Sequence, residues 1–184
     1  MKLALKLHPG SPATAVMQIA VEIARAEHGR LSLRYLANGP ISRLRLPHPA
    51  APVRTDDLWR STCFEAFIRR PDGRGYCELN FSPSSQWAAY RFTSYREGMS
   101  NIDDVAPPQI STSKTAAEFE LKVLLDLGED RDRFGVETWQ IGLSAVIEDS
   151  DGVTAYWALA HPPGKPDFHH ADGFACQLSI AEPS

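Results

Sequence analysis

The sequence predicts an all-β fold, an antiparallel jelly-roll-like β-sandwich of about ten strands. Three features of the 184-residue chain lead there. Apolar residues recur at every second position in short runs, as they do in half-buried strands. Gly, Pro, Asn or Asp closes each run. The runs follow one another at near-regular intervals with little helical periodicity between them, which is the pattern of sheets packed face to face.

Leu3, Leu5 and Leu7 alternate in the first run, and Met17, Ile19, Val21 and Ile23 in the second. Val16, Ile19, Ala20 and Ile23 would also suit one face of a helix, but β-branched residues at alternate positions favour a strand. Leu31, Leu33 and Tyr35 continue the pattern up to Asn38-Gly39-Pro40, and Leu44 with Leu46 makes a short run ended by Pro47. Residues 46–57, rich in Pro and Ala, read as a surface loop. Three runs then form a meander over 62–69, 76–82 and 87–95, with Pro71-Asp72-Gly73 and Pro83-Ser84-Ser85 in the turns. After Gly98 a polar stretch to Pro108 reads as a long loop of the kind that borders sites. Phe119, Leu121 and Val123 give the next strand, and Trp139, Ile141, Leu143, Ala145 and Ile147 a long one. Residues 154–159 and 174–180 supply the last two, separated by a loop rich in His and Pro. The charged segment 128–135 reads as a solvated turn or short helix. With no internal repeat, residues 1–184 are read as one domain.

Composition excludes several classes. Apolar residues at 43% and charged residues at 23% are ordinary globular usage, so extended disorder has no compositional basis. Gln, Glu, Arg and Lys interrupt every apolar stretch well short of the roughly 20 residues of a bilayer helix, so no membrane partner is expected. A net charge of −4, without a basic stripe, argues against nucleic acid as a partner. Lys6 and His8 break what would be the apolar region of a secretory signal, so a cytoplasmic location is expected. Cys63, Cys77 and Cys176 cannot all pair within one chain and show no C-x-x-C spacing, so buried thiols are expected instead of a disulfide framework or zinc site.

Alternation across a sheet assigns the meander's faces. Phe64, Ala66 and Ile68, then Cys77, Leu79 and Phe81, then Ala88, Tyr90 and Phe92 fall on the expected core side. The opposite side gathers Cys63, Glu65 and Phe67, then Tyr76, Glu78, Asn80 and Ser82, then Trp87, Ala89, Arg91 and Thr93. Tight hairpins would put Glu65 across from Asn80, Glu78 across from Arg91 and Ser82 beside Trp87, and a one-residue slip would invert a face. A lone Glu78–Arg91 pair on a solvated sheet contributes roughly 0.2–1 kcal/mol and binds nothing. The cluster as a whole suits a polyhydroxylated ligand, because an indole stacks on the apolar face of a sugar while carboxylate, amide and guanidinium exchange hydrogen bonds with its hydroxyls. Trp59, Arg60, Tyr95 and Arg96 lie at the strand ends as an expected rim, and His161 completes the candidate set.

Several long motifs carry a resemblance. Leu58-Trp59-Arg60-Ser61-Thr62-Cys63-Phe64-Glu65-Ala66-Phe67 is one, and Glu78-Leu79-Asn80-Phe81-Ser82-Pro83 with Trp87-Ala88-Ala89-Tyr90 is another. Trp157-Ala158-Leu159-Ala160-His161-Pro162 and Pro166-Asp167-Phe168-His169-His170 complete the set. Together they resemble bacterial DOMON-like proteins, a group related to family 9 carbohydrate-binding modules. The resemblance covers most of the chain and is weakest before Leu31. It implies a jelly-roll-like sandwich with a ligand site on one sheet face, in a superfamily whose members bind sugars or haem.

The reading is a non-catalytic domain that binds a small ligand, a saccharide, with no cofactor and no metal. Haem is the alternative, with Met99 and His161 or His169 as axial ligands. A glycoside-processing enzyme using Glu65 and Glu78 is the second alternative, opposed by Arg91, which would keep Glu78 ionised. Cys63 has no evident base beside it. Asp56-Asp57 and Asp103-Asp104 are adjacent pairs without the spacing of a calcium loop. In the segment from Asp167 to Asp172 the neighbouring histidines point apart on an extended chain, so hydrogen bonding is preferred to metal there.

Overall fold

A computed structural model describes residues 1–26, 29–127 and 137–180. The charged segment 128–135 lies outside them. Within them the chain forms twelve strands and no α-helix: β1 (Lys2–Leu7), β2 (Gln18–Arg25), β3 (Arg30–Asn38), β4 (Cys63–Arg69), β5 (Tyr76–Phe81), β6 (Trp87–Phe92), β7 (Ser100–Asn101), β8 (Gln109–Lys114), β9 (Glu118–Asp126), β10 (Thr138–Glu148), β11 (Thr154–Ala158) and β12 (Cys176–Ser179). Short 3-10 turns at Ile41–Arg43, Leu58–Arg60 and Ala171–Gly173 punctuate them. The second run is a strand, as its β-branched spacing favours.

All the strand pairs are antiparallel. One layer runs β1-β2-β3-β9-β8 and the other β7-β6-β5-β4-β10-β11, and the two curl into each other through β1. Residues Lys2 to Leu5 of β1 pair with β2, whereas Lys6 and Leu7 pair with β11. The long β10 pairs with β4 along one edge; its other edge meets β12 first and β11 further on. This is the predicted all-β sandwich with somewhat more strands than expected.

Two of three departures have local causes. The Leu44–Leu46 run makes only an isolated bridge from Leu44 to Asp149, because the turn at Ile41–Arg43 and the prolines beyond leave no length for a ladder. β7 and β8 were not anticipated. β8 reads QISTSK and is almost wholly exposed at the end of its layer, so it has no buried face and no apolar alternation to announce it.

The core lies between the layers. Phe64 of β4 stacks on Phe119 of β9 at 5.9 Å and packs against Tyr35 of β3 at 5.0 Å. The Tyr35 hydroxyl crosses the sandwich to donate to the Glu65 carbonyl at 2.8 Å. A second apolar cluster, containing Leu58, Cys63, Phe67, Tyr76, Tyr90, Phe92 and Phe174, covers the far side of the β4–β6 meander. That layer is therefore buried on both faces, and β5 shows no exposed residue at all. Among the described residues no helix is long and apolar enough to cross a membrane.

Replacing Tyr35 with Phe removes a hydroxyl that bridges the layers and leaves the ring in place. Urea unfolding of Tyr35→Phe is expected to show a loss of about 1 kcal/mol, the net worth of a buried neutral hydrogen bond.

Candidate functional site

Register builds the site in rows across the outer face of the meander. Ser144 of β10, Glu65 of β4, Asn80 of β5 and Ala88 of β6 stand side by side in one row. Gly142, Phe67, Glu78, Tyr90 and Asn101 make the next. Val146 of β10 continues the floor toward Tyr156 of β11. A cleft of about 1020 Å³ opens over these rows.

Three segments wall it. The stretch Asp56–Asp57 and the following 3-10 turn bring in Trp59, whose residue is 50% exposed. The loop after β6 brings Arg96 and Met99, and the late loop brings Lys165, Pro166, Phe168 and His169. The late loop can lie directly on the sheet because β10 has glycine at 142, where a Cβ would come within 3.0 Å of the Gly173 carbonyl oxygen.

Two carboxyls share the floor. Glu78 accepts from Asn80 Nδ2 at 2.7 Å, and Glu65 accepts from Ser144 Oγ at 3.3 Å. Burial, reinforced by the charge of Glu78, pushes Glu65 well above the usual carboxyl range. Burial also raises Glu78, although the Asn80 hydrogen bond and the charge of Arg96 restrain it. Such a pair titrates as one unit and retains a proton longer than either carboxyl would in water.

A hydrogen-bonded chain fixes the wall above them. The Arg96 backbone N–H donates to the Tyr76 hydroxyl at 3.2 Å, and that hydroxyl meets His169 Nδ1 at 2.7 Å. Burial pushes the Tyr76 phenol up to about 12; because its oxygen already accepts from the Arg96 N–H and His169 Nε2 faces the Glu78 carboxyl, the network assigns Tyr76 as the donor to Nδ1. His169 Nε2 then carries the hydrogen and faces Glu78 Oε2 at 3.8 Å. Burial, and then the positive charge of Arg96, lower His169 to about 4 against the pull of Asp167, so the ring is neutral near pH 7. Asp167 accepts from the Tyr95 hydroxyl, from Arg96 Nη2 at 2.8 Å and from the His169 backbone N–H at 3.1 Å. Burial alone would raise Asp167, but these donors and the Arg96 charge hold it below its ordinary value.

Of the residues singled out in the sequence, Trp59, Glu65, Glu78 and Arg96 line the cleft, and Asn80 is buried beneath it on the same face of β5 as Glu78 and opposite Glu65. Met99 and His169 line it too. Arg60 pairs with Asp57 at 3.2 Å and lies over the Trp59 ring. Tyr95 lies in a neighbouring hollow that shares Arg96 and Lys165 with the cleft. The other three stand elsewhere. Trp87 pairs with Phe81 and is buried in the core between the layers; Arg91 sits opposite Cys77 and bonds Ser100; His161 bonds the Lys6 carbonyl beside His8.

One slip of register accounts for Trp87 and Arg91. Ser82 N–H donates to the Gln86 carbonyl, closing a three-residue loop with Ser85 at φ 80°, so Glu78 faces Tyr90 and not Arg91. The whole of β6 is turned over relative to the expectation. Tyr90 and Phe92 move to the cleft, and Trp87 and Ala89 move to the core. The cation expected to keep Glu78 ionised is absent from its side of the sheet. Tyr90 is also fixed by the opposite wall, its hydroxyl donating to Asp56 at 2.6 Å. Tyr156, Val146 and Phe168 were missed because they reach the cleft from strands and a loop far along the chain.

The haem ligands do not fit. His169 has Nδ1 engaged by Tyr76 and Nε2 turned to Glu78, His161 is outside the cleft, and Met99 is 62% exposed at its mouth. Cys63 is fully buried, and burial with the Glu65 charge raises its thiol well above the ordinary value, a poor nucleophile. No group of three or more His, Cys, Asp or Glu among the described residues is arranged to hold a metal ion.

No family model and no curated protein matches the sequence. Solved structures do. A family 9 carbohydrate-binding module from Caldicellulosiruptor kristjanssonii in complex with cellotriose is similar over 100% of this chain and 84% of its own, at 11% identity and a TM-score of 0.61. A family 9 module from the same organism in complex with glucose is similar over 98% of this chain and 86% of its own, at 10% identity and 0.57. A protein of Bacteroides uniformis, provisionally named as carbohydrate-binding, covers 98% and 86%, at 13% identity and 0.62. The fold is that of these modules.

Unfolded, His169 takes up a proton near 6.5, whereas folded it resists until about 4. Its contribution to stability is therefore whole above 6.5 and is lost as pH falls toward 4. The raised carboxyl pair has the opposite sign, being most favourable below the ordinary carboxyl range and losing stability as pH rises. The unfolding free-energy gap between wild type and His169→Asn is expected to narrow by up to about 3 kcal/mol from about pH 7 to about pH 4. Urea titrations of both proteins at each pH measure it.

Proposed function

We propose that the cleft binds a saccharide and that the protein serves as a non-catalytic binding domain of the DOMON-like type. The observation that carries this reading is an exposed indole, Trp59, on the wall above a buried polar floor of Glu65, Glu78 and Asn80. A sugar ring has the same two-sided character. Its axial C–H face stacks on an aromatic ring while its equatorial hydroxyls exchange hydrogen bonds in the sheet plane. Tyr156 and Phe168 extend the apolar lining, and His169 Nε2–H supplies a donor beside the acceptors. The sandwich it shares with modules solved holding glucose and cellotriose supports the same reading.

Calorimetric titration with glucose and cello-oligosaccharides tests it. Trp59→Ala is expected to weaken binding about tenfold, the weight of one aromatic stacking contact, with the melting temperature unchanged. Trp87→Ala is expected instead to cost about 3–5 kcal/mol of stability, as a large side chain removed from the core does. If neither these sugars nor a wider glycan panel binds the unmodified protein, the reading is wrong.

A further inference from the structure

The cleft floor is rich in acceptors and poor in free donors. Glu65, Glu78 and Asp56 present carboxyl oxygens, and Asn80 keeps Oδ1 without a partner although the residue is 1% exposed. An unmatched buried amide oxygen is costly unless something in use of the site donates to it. The donors already there are engaged: Asn80 Nδ2 with Glu78, Ser144 Oγ with Glu65, and the Tyr90 hydroxyl with Asp56. His169 Nε2–H stands 3.8 Å from Glu78 Oε2, too far for a good hydrogen bond.

The charge is unbalanced in the same direction. Among the described residues the only ion-pair contact within 4.0 Å of either floor carboxyl is that neutral histidine. Arg96 acts on Glu78 from further off and is itself held by Asp167 at 2.8 Å, while Lys165 stands exposed at the mouth. The other titratable groups against the floor, Cys63, Tyr76 and Tyr90, all stay uncharged through burial. Two carboxyls in a desolvated place without a cation are driven toward their neutral form.

We infer that the saccharide selected by this cleft carries a primary amine, as a 2-amino-2-deoxyhexose does, with its ammonium seated among Glu65, Glu78 and Asn80 Oδ1. The inference rests on the saccharide reading of the same cleft. An ammonium brings three N–H donors to three acceptor groups and a unit charge to a floor that lacks one. As it enters, a proton retained by the raised carboxyls leaves to solvent, so the charge of the floor and its guest stays balanced.

Calorimetry with glucosamine, glucose and N-acetylglucosamine at about pH 6, below the usual amine range, separates the possibilities. Glucosamine is expected to bind about tenfold or more tightly than glucose, and the N-acetyl sugar, which has lost the charge, to forfeit that advantage. Repeating the glucosamine titration in two buffers of different ionisation enthalpy is expected to show net proton release. Glu65→Gln and Glu78→Gln should each bring the glucosamine-to-glucose affinity ratio down toward one; if either fails to fold, the N-acetyl comparison on the unmodified protein decides alone. Glucose binding as tightly as glucosamine overturns the inference and leaves the saccharide reading standing. Failure of all three sugars and of the wider glycan panel overturns both.

Discussion

A strand has two faces, and in β4, β5 and β10 neither is free to meet bulk water. One face packs on the opposing layer through Phe64, Leu79 and Leu143; the other lies under Phe67, Tyr76 and the late loop. A polar residue on that second face has three fates: engagement by neighbours, neutralisation, or use. Glu65, Glu78 and Asn80 show the first two in part, since each makes a hydrogen bond, the carboxyls are pushed toward their neutral form, and one amide oxygen remains unmatched. Double coverage thus gives the floor its low dielectric and its unusual acid pair.

The same double coverage explains what was legible in the sequence. The β4–β5 hairpin carried strong apolar alternation on its core face, and pairs such as Glu65 with Asn80 stand where that alternation puts them. β6 was misread because Trp87, Ala88, Ala89 and Tyr90 are apolar on both faces, so only the turn could decide its parity. A run with a buried residue at every position but one carries no internal evidence of which side faces the core. The deciding feature, a three-residue loop with Ser85 in the left-handed region, is written in Pro83-Ser84-Ser85 without the Gly that marks such turns.

Two tryptophans illustrate how far residue type falls short of position. Trp59 and Trp87 are equally apt for stacking on a ligand by chemistry. Trp87 is carried by register into the core, where Arg54 stacks over its ring at 4.6 Å, while Trp59 stands out from a 3-10 turn with Asp57 in the left-handed region just before it. The wall residues from the late loop posed a different difficulty. Phe168 and His169 lie about ninety residues beyond β5, and only the close approach at Gly142 and the Tyr76–His169 bond bring them over its carboxyls.

That loop is anchored from several sides at once. Gly173 rests on Gly142, His169 is tied to Tyr76, and Asp167 gathers Tyr95, Arg96 and its own loop's backbone. Because Arg96 N–H also donates to Tyr76, the loop after β6 and the late loop share one hydroxyl as their joint. Walls held in this way are set before any guest arrives, so little conformational freedom is left to lose on binding. The floor has less latitude still, each of its polar groups being fixed by a strand on either side. Selectivity in such a cleft must come from matching donors and charge to fixed acceptors, with little scope for the protein to close around whatever enters.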